Sequence, residues 1–293
     1  MQRTGLVLLK LLVRMFAVIP FRCLYALSSC LSFLFFKLIK YRLVVVMANL
    51  RNSFPEKEDV EIKLLANHFY RHFSDILLES IKGLSLSKVE LQRRFHYTNP
   101  EIFDELYLQQ KSAILLGSHY GNWEWGVLSF PLSVQHRVVG IFKPLKNRLI
   151  DAYLNQRRSR WGLHLASMGQ AGRVVVDHRH QPCIFVLIAD QTPSNIRDAH
   201  WVRFLNQDTP FLHGPEKLAR STGYPVFTFE INRCGRGYYE VTFKLMCEKV
   251  DKLPHGEMTS LFARQLESQI KKDPPNWLWS HRRWKRKRPE KQP

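Results

Sequence analysis

Short apolar runs alternate with helix-like segments over most of the chain, and this alternation limits the fold more than any other feature of the sequence. Runs rich in branched apolar residues predict strands, and segments with apolar residues three or four apart predict helices. The predicted strands are SAILLG, RVVGIF, CIFVLIAD, YPVFTFEIN and YYEVTFKLM, and the predicted helices between or after them are NWEWGVLSF, NRLIDAYLNQRRSRWG, GPEKLARSTG and SLFARQLESQIKKDP. Such a chain is expected to form an α/β domain, with a central mostly parallel or mixed sheet flanked by helices.

A long helix is predicted to precede the alternation. After a turn at Pro55, acidic residues crowd the start of a segment with helical periodicity, where they interact favourably with the helix dipole. Its apolar positions are Ile62, Leu65, Phe69, Phe73, Ile76 and Leu77.

The N-terminal residues are predicted to anchor the chain to a membrane. Residues 6–39 are mostly apolar, but basic residues and Pro20 interrupt them, so no uncharged run reaches the roughly 20 residues of a spanning helix. Basic residues that share one side of a helix are typical of a helix lying in the membrane interface: Arg3, Lys10 and Arg14. A signal peptide is disfavoured because no small-residue cleavage site follows, and core helices are the other alternative. We expect residues 1–50 to form a helical anchor, either on the membrane or as one tilted span. Residues 51–293 then form the α/β domain with a basic tail.

The charge balance is strongly basic, with 44 lysines and arginines against 25 acidic residues and a formal net charge of +19. Such a surplus predicts an acidic partner: nucleic acid, an anionic membrane surface, or an acidic carrier or substrate. The C-terminal stretch HRRWKRKR fits contact with anionic lipid, docking of an acidic carrier protein, or a nucleic-acid tail. The last interpretation leaves the apolar N-terminus unexplained, so we predict an anionic membrane lipid as a partner and no nucleic acid.

Polar residues fill the junction GSHYGNWEWG (117–126), between a predicted strand and the helix after it. His119 follows the strand at its carboxyl end, where open α/β sheets place their ligands. Gly121 permits a turn, Asn122 is a good N-cap, and Glu124 falls in the first helical turn. A carboxylate bound to one ring nitrogen would make the other nitrogen a better base. On this motif alone, a buried histidine beside a capped helix is at least as good an explanation.

Other chemistries fit the junction less well. Ser118 lacks the flanking glycines of a nucleophile elbow, and an H-x4-E pair supplies only two metal ligands. The stretch DHRH (177–180) is explained better as a solvated turn than as a metal site, because no other ligand cluster accompanies it. The five scattered cysteines form no C-x-x-C pair and predict reduced thiols.

Several segments together resemble the late acyltransferases of lipid A biosynthesis, a branch of the lysophospholipid acyltransferase superfamily that carries H-x4-[DE]. The resembling segments are RLVVVMANLRNSFPEKE, GSHYGNWEWG, FKPLKNRLIDAYLNQRRSRWG, FVLIADQ and PPNWLWSHRRWKRKRP. Ordered matches over nearly the whole chain are far more specific than the H-x4-E pair. The sequence departs from the family at Lys143, where arginine is usual, and in RFLNQDTPFLHG, a loose version of the family's aromatic-glycine loop.

The resemblance implies transfer of a fatty acyl group from a thioester, on acyl carrier protein or coenzyme A, to a hydroxyl of a phosphorylated lipid acceptor such as a lipid A precursor. His119 would be the general base, with Glu124 holding its ring. Backbone N–H groups of the Gly121 turn or a nearby cation would stabilise the oxyanion. No cofactor and no metal are needed. The resemblance also implies the bacterial inner membrane, with the catalytic domain on the cytoplasmic side.

The resemblance also supplies residues that would bind substrate. Basic residues of the family's second block would grip phosphates of the acceptor or the donor's phosphopantetheine arm. Asp190 and Gln191, at the end of a predicted buried strand, would either order Arg158 or cap a helix, and the Asp-Gln of the family favours the first. The full predicted set is Lys143, Asn147, Arg158, Arg160, Asp190 and Gln191.

Two alternatives stay open at this point. One is an acyltransferase for another acceptor, such as a lysophospholipid, an aminolipid or a glycolipid. The other is a basic membrane-surface protein that has the fold but catalyses no transfer.

Overall fold

The apolar runs of the sequence form a seven-stranded sheet at the centre of the molecule. The computed structural model describes residues 2–289. The strands in chain order are β1 (Phe95–Tyr97), β2 (Ala113–Gly117), β3 (Arg137–Phe142), β4 (His164–Ser167), β5 (Cys183–Ile188), β6 (Ala199–Phe204), β7 (Gln207–Leu212), β8 (Val226–Gly235) and β9 (Tyr238–Cys247). β6 and β7 pair as a separate antiparallel hairpin.

The order of strands across the main sheet is β1-β9-β8-β2-β5-β3-β4. β8 and β9 are antiparallel, and the other neighbouring pairs are parallel. Successive side chains of β2 point to opposite faces, because a strand is pleated: Ala113 and Leu115 enter one core, and Ile114 and Leu116 enter the other. The mixed α/β fold predicted from the alternation of elements is confirmed.

Helices cover the sheet, and all those predicted from periodicity are present. The helices are α1 (Gln2–Val18), α2 (Phe21–Phe33), α3 (Leu43–Ser53), α4 (Asp59–Gly83), α5 (Lys88–Arg94), α6 (Asp104–Leu108), α7 (Trp123–Ser129), α8 (Arg148–Arg158), α9 (Ala171–Asp177), α10 (Gly214–Thr222) and α11 (Glu257–Lys272). α4 is the long helix predicted after Pro55, and a capping box of Glu58 and Glu61 satisfies the backbone at its start. β1, β4 and the β6–β7 hairpin were not predicted.

The N-terminal helices pack on the domain while exposing apolar side chains. Within residues 2–289, Phe21–Leu38 is the one helical segment whose length and composition would suffice to cross a membrane. Its inner face is engaged by the domain: Leu24 and Ser28 are buried, and Ser28 Oγ donates to Asp75 Oδ1 at 2.6 Å. The exposed apolar residues of α1, α2 and the π-helical turn after α2 include Val7, Leu8, Leu11, Met15, Leu27, Phe33 and Leu38.

Glu79 of α4 links three other parts of the fold. Its buried carboxylate accepts hydrogen bonds from Tyr25 of α2 (2.9 Å), Asn122 of the β2–α7 turn (2.7 Å) and Tyr239 of β9 (2.7 Å). Burial raises the pKa of Glu79, in spite of these hydrogen bonds. One carboxylate thus joins the N-terminal helices, the sheet and the β2–α7 turn.

Replacing this carboxylate by an amide is expected to destabilise the fold. Glu79→Gln leaves one acceptor oxygen for three donors, so we expect the free energy of unfolding to fall by about 1–3 kcal/mol. Denaturant unfolding in detergent measures the change. Glu240→Gln, on the exposed side of β9, is the matched control and should change stability by less than about 0.5 kcal/mol. Equal effects of the two substitutions would contradict a shared role for Glu79.

Candidate active site

Strand register brings His119 and Asp190 together. β2 and β5 are parallel neighbours, and Gly117 is paired with Ile188. His119 and Asp190 each lie two residues beyond this pair. Because parallel strands end at the same edge of a sheet, the two side chains meet at the carboxyl edge, where open α/β sheets place their ligands.

Three hydrogen bonds fix Asp190 beside His119. The His119 Nδ1 and Asp190 Oδ1 atoms are 2.6 Å apart, and the His119 backbone N–H donates to Asp190 Oδ2 at 3.0 Å. Trp277 Nε1 donates to the same Oδ2 at 2.9 Å. The Asp190 side chain is only 3% exposed, whereas that of His119 is 20% exposed. The carboxylate can therefore orient the ring while the ring reaches an open space.

The other ring nitrogen is available to a substrate. Because Nδ1–H donates to the carboxylate, Nε2 carries the lone pair. The Gln191 side-chain nitrogen lies 3.1 Å from His119 Nε2 and donates to it. Gln191 thus occupies the place of a hydroxyl group that would donate to the same nitrogen.

Electrostatics make His119 a stronger base. Burial alone would lower the pKa of His119, but the charge of Asp190, its hydrogen bond and the charge of Glu124 together raise that pKa. Burial works against ionisation of Asp190, but the charge of His119 and the donors around the carboxylate hold its pKa below the usual range. A histidine with a raised pKa is a stronger base than a free imidazole.

A cavity of about 670 Å³ extends from His119 into the core. Its polar end includes His119, Glu124, Arg158 and Lys143. Its remaining walls are largely apolar and include Tyr97, Leu115, Phe130, Val138, Leu163, Leu165, Val186 and Phe243. Such a shape suits a ligand with one reactive polar end and a long apolar part.

Comparison with known proteins assigns the chain to a family. Residues 2–286 match the family described as bacterial lipid A biosynthesis acyltransferase. The chain belongs to this family. It is also similar to a lipid A biosynthesis acyltransferase of Haemophilus influenzae, with 23% identity over 257 residues, which cover 86% of this chain and 80% of the relative. The resemblance stated from the motifs is therefore confirmed, and the protein is an acyltransferase.

The structure corrects the expected partner of the histidine in this acyltransferase. Glu124 does not hydrogen-bond to His119; Asp190 does. Glu124 instead forms an ion pair with Arg158, whose Nη2 lies 2.8 and 2.9 Å from the two carboxylate oxygens. Asp190 and Gln191 were expected to order Arg158, but both contact His119. The two expected partners are thus exchanged: Glu124 was expected to contact His119, and Asp190 was expected to contact Arg158.

Of the other residues expected to bind substrate, Lys143 lines the cavity, whereas Asn147 and Arg160 do not. Lys143 lines the mouth of the cavity, with Nζ 3.5 Å from Ser194 Oγ. Asn147 caps α8 by accepting from two backbone N–H groups. Arg160 donates to the backbone carbonyl of Gly83, the last residue of α4, and to those of Leu84 and Leu86, which follow it. Burial and the charge of Arg157 lower the pKa of Arg160 to about 10. Asn147 and Arg160 are not among the residues that line the cavity within the described chain.

The turn that carries His119 is built around a glycine. Gly121 has φ +60°, and a Cβ there would lie 2.7 Å from Ile231 Cγ2. Its N–H, expected to be available for an oxyanion, donates to the carbonyl of Asn276 at 3.0 Å. Trp123 lines the cavity, whereas Trp125 is buried in the core and donates to the Glu79 carbonyl.

The basic C-terminal stretch is partly built into the domain. Arg283 is completely buried, donates to the Pro210 carbonyl at 2.8 Å and packs on the ring of Phe211. His281 accepts from the Thr192 N–H beside the site, and burial lowers its pKa to about 4. The sequence predicted a charged tail that contains these residues and gave no role to Trp277. The spacing W-x-W-x-H-R-R was the sequence feature that could have indicated their place beside the site.

One group of described residues outside the cavity has the spacing of metal ligands. Ligand atoms of His213, Glu216 and His255 lie within 4.8 Å of one another. However, the oxygens of Glu216 already accept from Arg220 and from the N–H and hydroxyl of Thr259. This carboxylate is occupied in joining α10 to the start of α11.

The geometry predicts which acid controls the pKa of His119. Asp190→Asn removes a charge in contact with the ring, so the pKa of His119 should fall by about 1 to 3. Glu124→Gln should lower it less, because that carboxylate does not touch the ring. The measurement is an NMR titration of the His119 ring, assigned with His119→Gln. A larger effect of Glu124→Gln would contradict this assignment.

Proposed function

We propose that the protein transfers a fatty acyl group from a thioester to a hydroxyl of a lipid A precursor, with His119 as the general base and Asp190 orienting its ring. The observation that carries this proposal is the His119–Asp190 pair at the polar end of a largely apolar cavity of about 670 Å³. The family membership supports acyl transfer.

The proposed step begins when the acceptor hydroxyl takes the place of the Gln191 amide at His119 Nε2. His119 removes the hydroxyl proton as the oxygen attacks the thioester carbonyl. The C–S bond of the tetrahedral intermediate then breaks, and the protonated ring returns its proton to the leaving thiolate. Such positioned proton transfer contributes about 10²–10⁴-fold to the rate.

Glu124 is proposed to act mainly through Arg158. An arginine held by two carboxylate contacts keeps a fixed orientation, and Arg158 stays at the cavity mouth beside the reacting group. Arg158 and Lys143 are the proposed cations for the oxyanion and for phosphates of donor or acceptor. Acyl carrier protein and coenzyme A both present the thioester on a phosphopantetheine arm, so the same cations suit either donor.

The enzyme is proposed to lie on the cytoplasmic face of the inner membrane rather than to span it. The inner face of α2 bonds to the domain through Tyr25 and Ser28, which are nearly one turn apart. The outward apolar residues of α1 and α2 would enter the bilayer interface. A helix that is docked along the domain in this way is better suited to lie in the interface than to cross it.

A transfer assay tests the proposed function. Purified protein in detergent receives radiolabelled acyl-acyl carrier protein or acyl-coenzyme A, with tetra-acylated lipid A precursor, lysophospholipid or lyso-aminolipid as acceptor. We expect transfer to the lipid A precursor, and losses of about 10²–10⁴-fold in His119→Ala and Asp190→Asn, because the first removes the base and the second removes the charge that orients and strengthens it. His96→Ala, an exposed histidine of β1, is the control and should keep wild-type activity.

Each possible result of this assay has a definite meaning. Transfer to a different acceptor would overturn the lipid A assignment but keep the mechanism. Wild-type activity in both His119→Ala and Asp190→Asn would refute the mechanism. No transfer to any acceptor from either donor would favour a binding protein without turnover.

The cavity predicts a change in acyl-chain preference. Val138 lines the cavity near the start of β3, away from the catalytic edge, whereas Val139 points into the core on the opposite face. Val138→Phe should therefore shift transfer towards shorter acyl chains. Val139→Phe overpacks the core by the same volume, at a cost of about 1–3 kcal/mol, and should leave chain preference unchanged. Donors of graded chain length supply the measurement, and parallel shifts in both variants would contradict the assignment of the cavity to the acyl chain.

A further inference from the structure

A second cavity, of about 310 Å³, lies between α4 and the β8–β9 hairpin. It shares no lining residue with the catalytic cavity among the described residues. Three arginines line it: Arg71, Arg233 and Arg236. The proposed acyl transfer assigns no role to this pocket.

The charges of the pocket are only partly compensated. Arg233 and Arg236 both contact Asp75, so one carboxylate serves two guanidinium groups. Arg71 is exposed and makes no hydrogen bond or ion pair with any residue between 2 and 289. The second carboxylate of the lining, Asp273, accepts from Asn276, and burial raises its pKa. Three arginines against two acidic groups leave the pocket with a surplus of positive charge.

A buried histidine adds an unused hydrogen-bond donor. His72 lines the pocket and is 4% exposed, and its Nδ1 accepts from Arg233 Nη1 at 3.1 Å. Nε2 of the neutral ring therefore carries the proton, yet it has no partner in the described chain. A buried donor without an acceptor is costly, and this one belongs to a residue that lines the pocket.

The pocket adjoins the apolar N-terminal helices. Asp75 and Arg236 are hydrogen-bonded to Ser28 and Ser29 of α2. The outward face of the same helix exposes Leu27 and other apolar side chains. A ligand in the pocket would therefore lie next to the surface that suits a bilayer interface.

We propose that this pocket binds the phosphate group of an anionic membrane lipid. Guanidinium groups match phosphate oxygens in geometry and charge, and the unpartnered N–H of His72 belongs to the same lining. The lipid's acyl chains would pack beside the exposed face of α2. The pocket would thereby hold the domain on the membrane at a position separate from the catalytic cavity.

Vesicle binding tests the proposal without requiring turnover, so its outcome is independent of the proposed function. Full-length protein is mixed with phosphatidylcholine vesicles that contain or lack phosphatidic acid, at constant ionic strength. Arg71→Gln should weaken binding to the anionic vesicles by about fivefold or more. Lys63→Gln, which removes the same charge from an exposed position of α4 outside the pocket, should weaken it by less than about twofold.

A second measurement identifies the source of the phosphate group. Inorganic phosphate should raise the melting temperature of the detergent-solubilised wild type more than that of Arg71→Gln, because a ligand of the native state stabilises it. Arg71-dependent binding to vesicles together with this shift supports the lipid site. Equal vesicle binding by Arg71→Gln and Lys63→Gln overturns it. If the two variants bind vesicles equally but inorganic phosphate still raises the melting temperature of the wild type more than that of Arg71→Gln, the pocket binds a soluble anion instead.

Discussion

The parallel hydrogen bonding of β2 with β5 determines where the chemistry of this acyltransferase is placed. The register that pairs Gly117 with Ile188 sets His119 and Asp190 at equal distances beyond the sheet. Trp277, from the C-terminal part of the chain, completes the surroundings of the carboxylate. A slip of the strands by one residue would turn the side chains of β2 to the opposite faces and separate the pair. The precision of the site therefore comes from the sheet rather than from the turn alone.

The same turn is connected to the N-terminal helices through Glu79. Asn122 caps α7 through its oxygen and donates to Glu79 through its nitrogen, while Tyr25 of α2 donates to the other Glu79 oxygen. The helix that carries exposed apolar residues and the turn that carries His119 thus share one buried acceptor. The helix with the exposed apolar side chains and the turn that carries His119 are therefore physically linked in this fold.

Much of this fold could be predicted from the sequence, because strands and helices leave periodic apolar patterns. The partner of His119 could not, because the H-x4-E spacing directs attention to a residue five positions away, whereas strand order brings in a residue 71 positions away. Arg160 belongs to a basic block in the sequence, but the free carbonyls at the end of α4 bind it. Arg283 lies in a charged stretch and is nevertheless buried. In each case a tertiary contact decides which of two reasonable local interpretations applies.

We propose that Asp190, more than Glu124, sets the basicity of His119 during catalysis. The most direct test is the pH dependence of kcat/KM, because its acid limb reports the pKa of the base in the free enzyme. In the wild type this limb should lie above the ordinary histidine value of about 6.5, since a raised pKa keeps the ring protonated, and inactive as a base, up to a higher pH. The limb should move to lower pH in Asp190→Asn and should move less in Glu124→Gln. An unmoved limb in Asp190→Asn, with a displaced limb in Glu124→Gln, would contradict it.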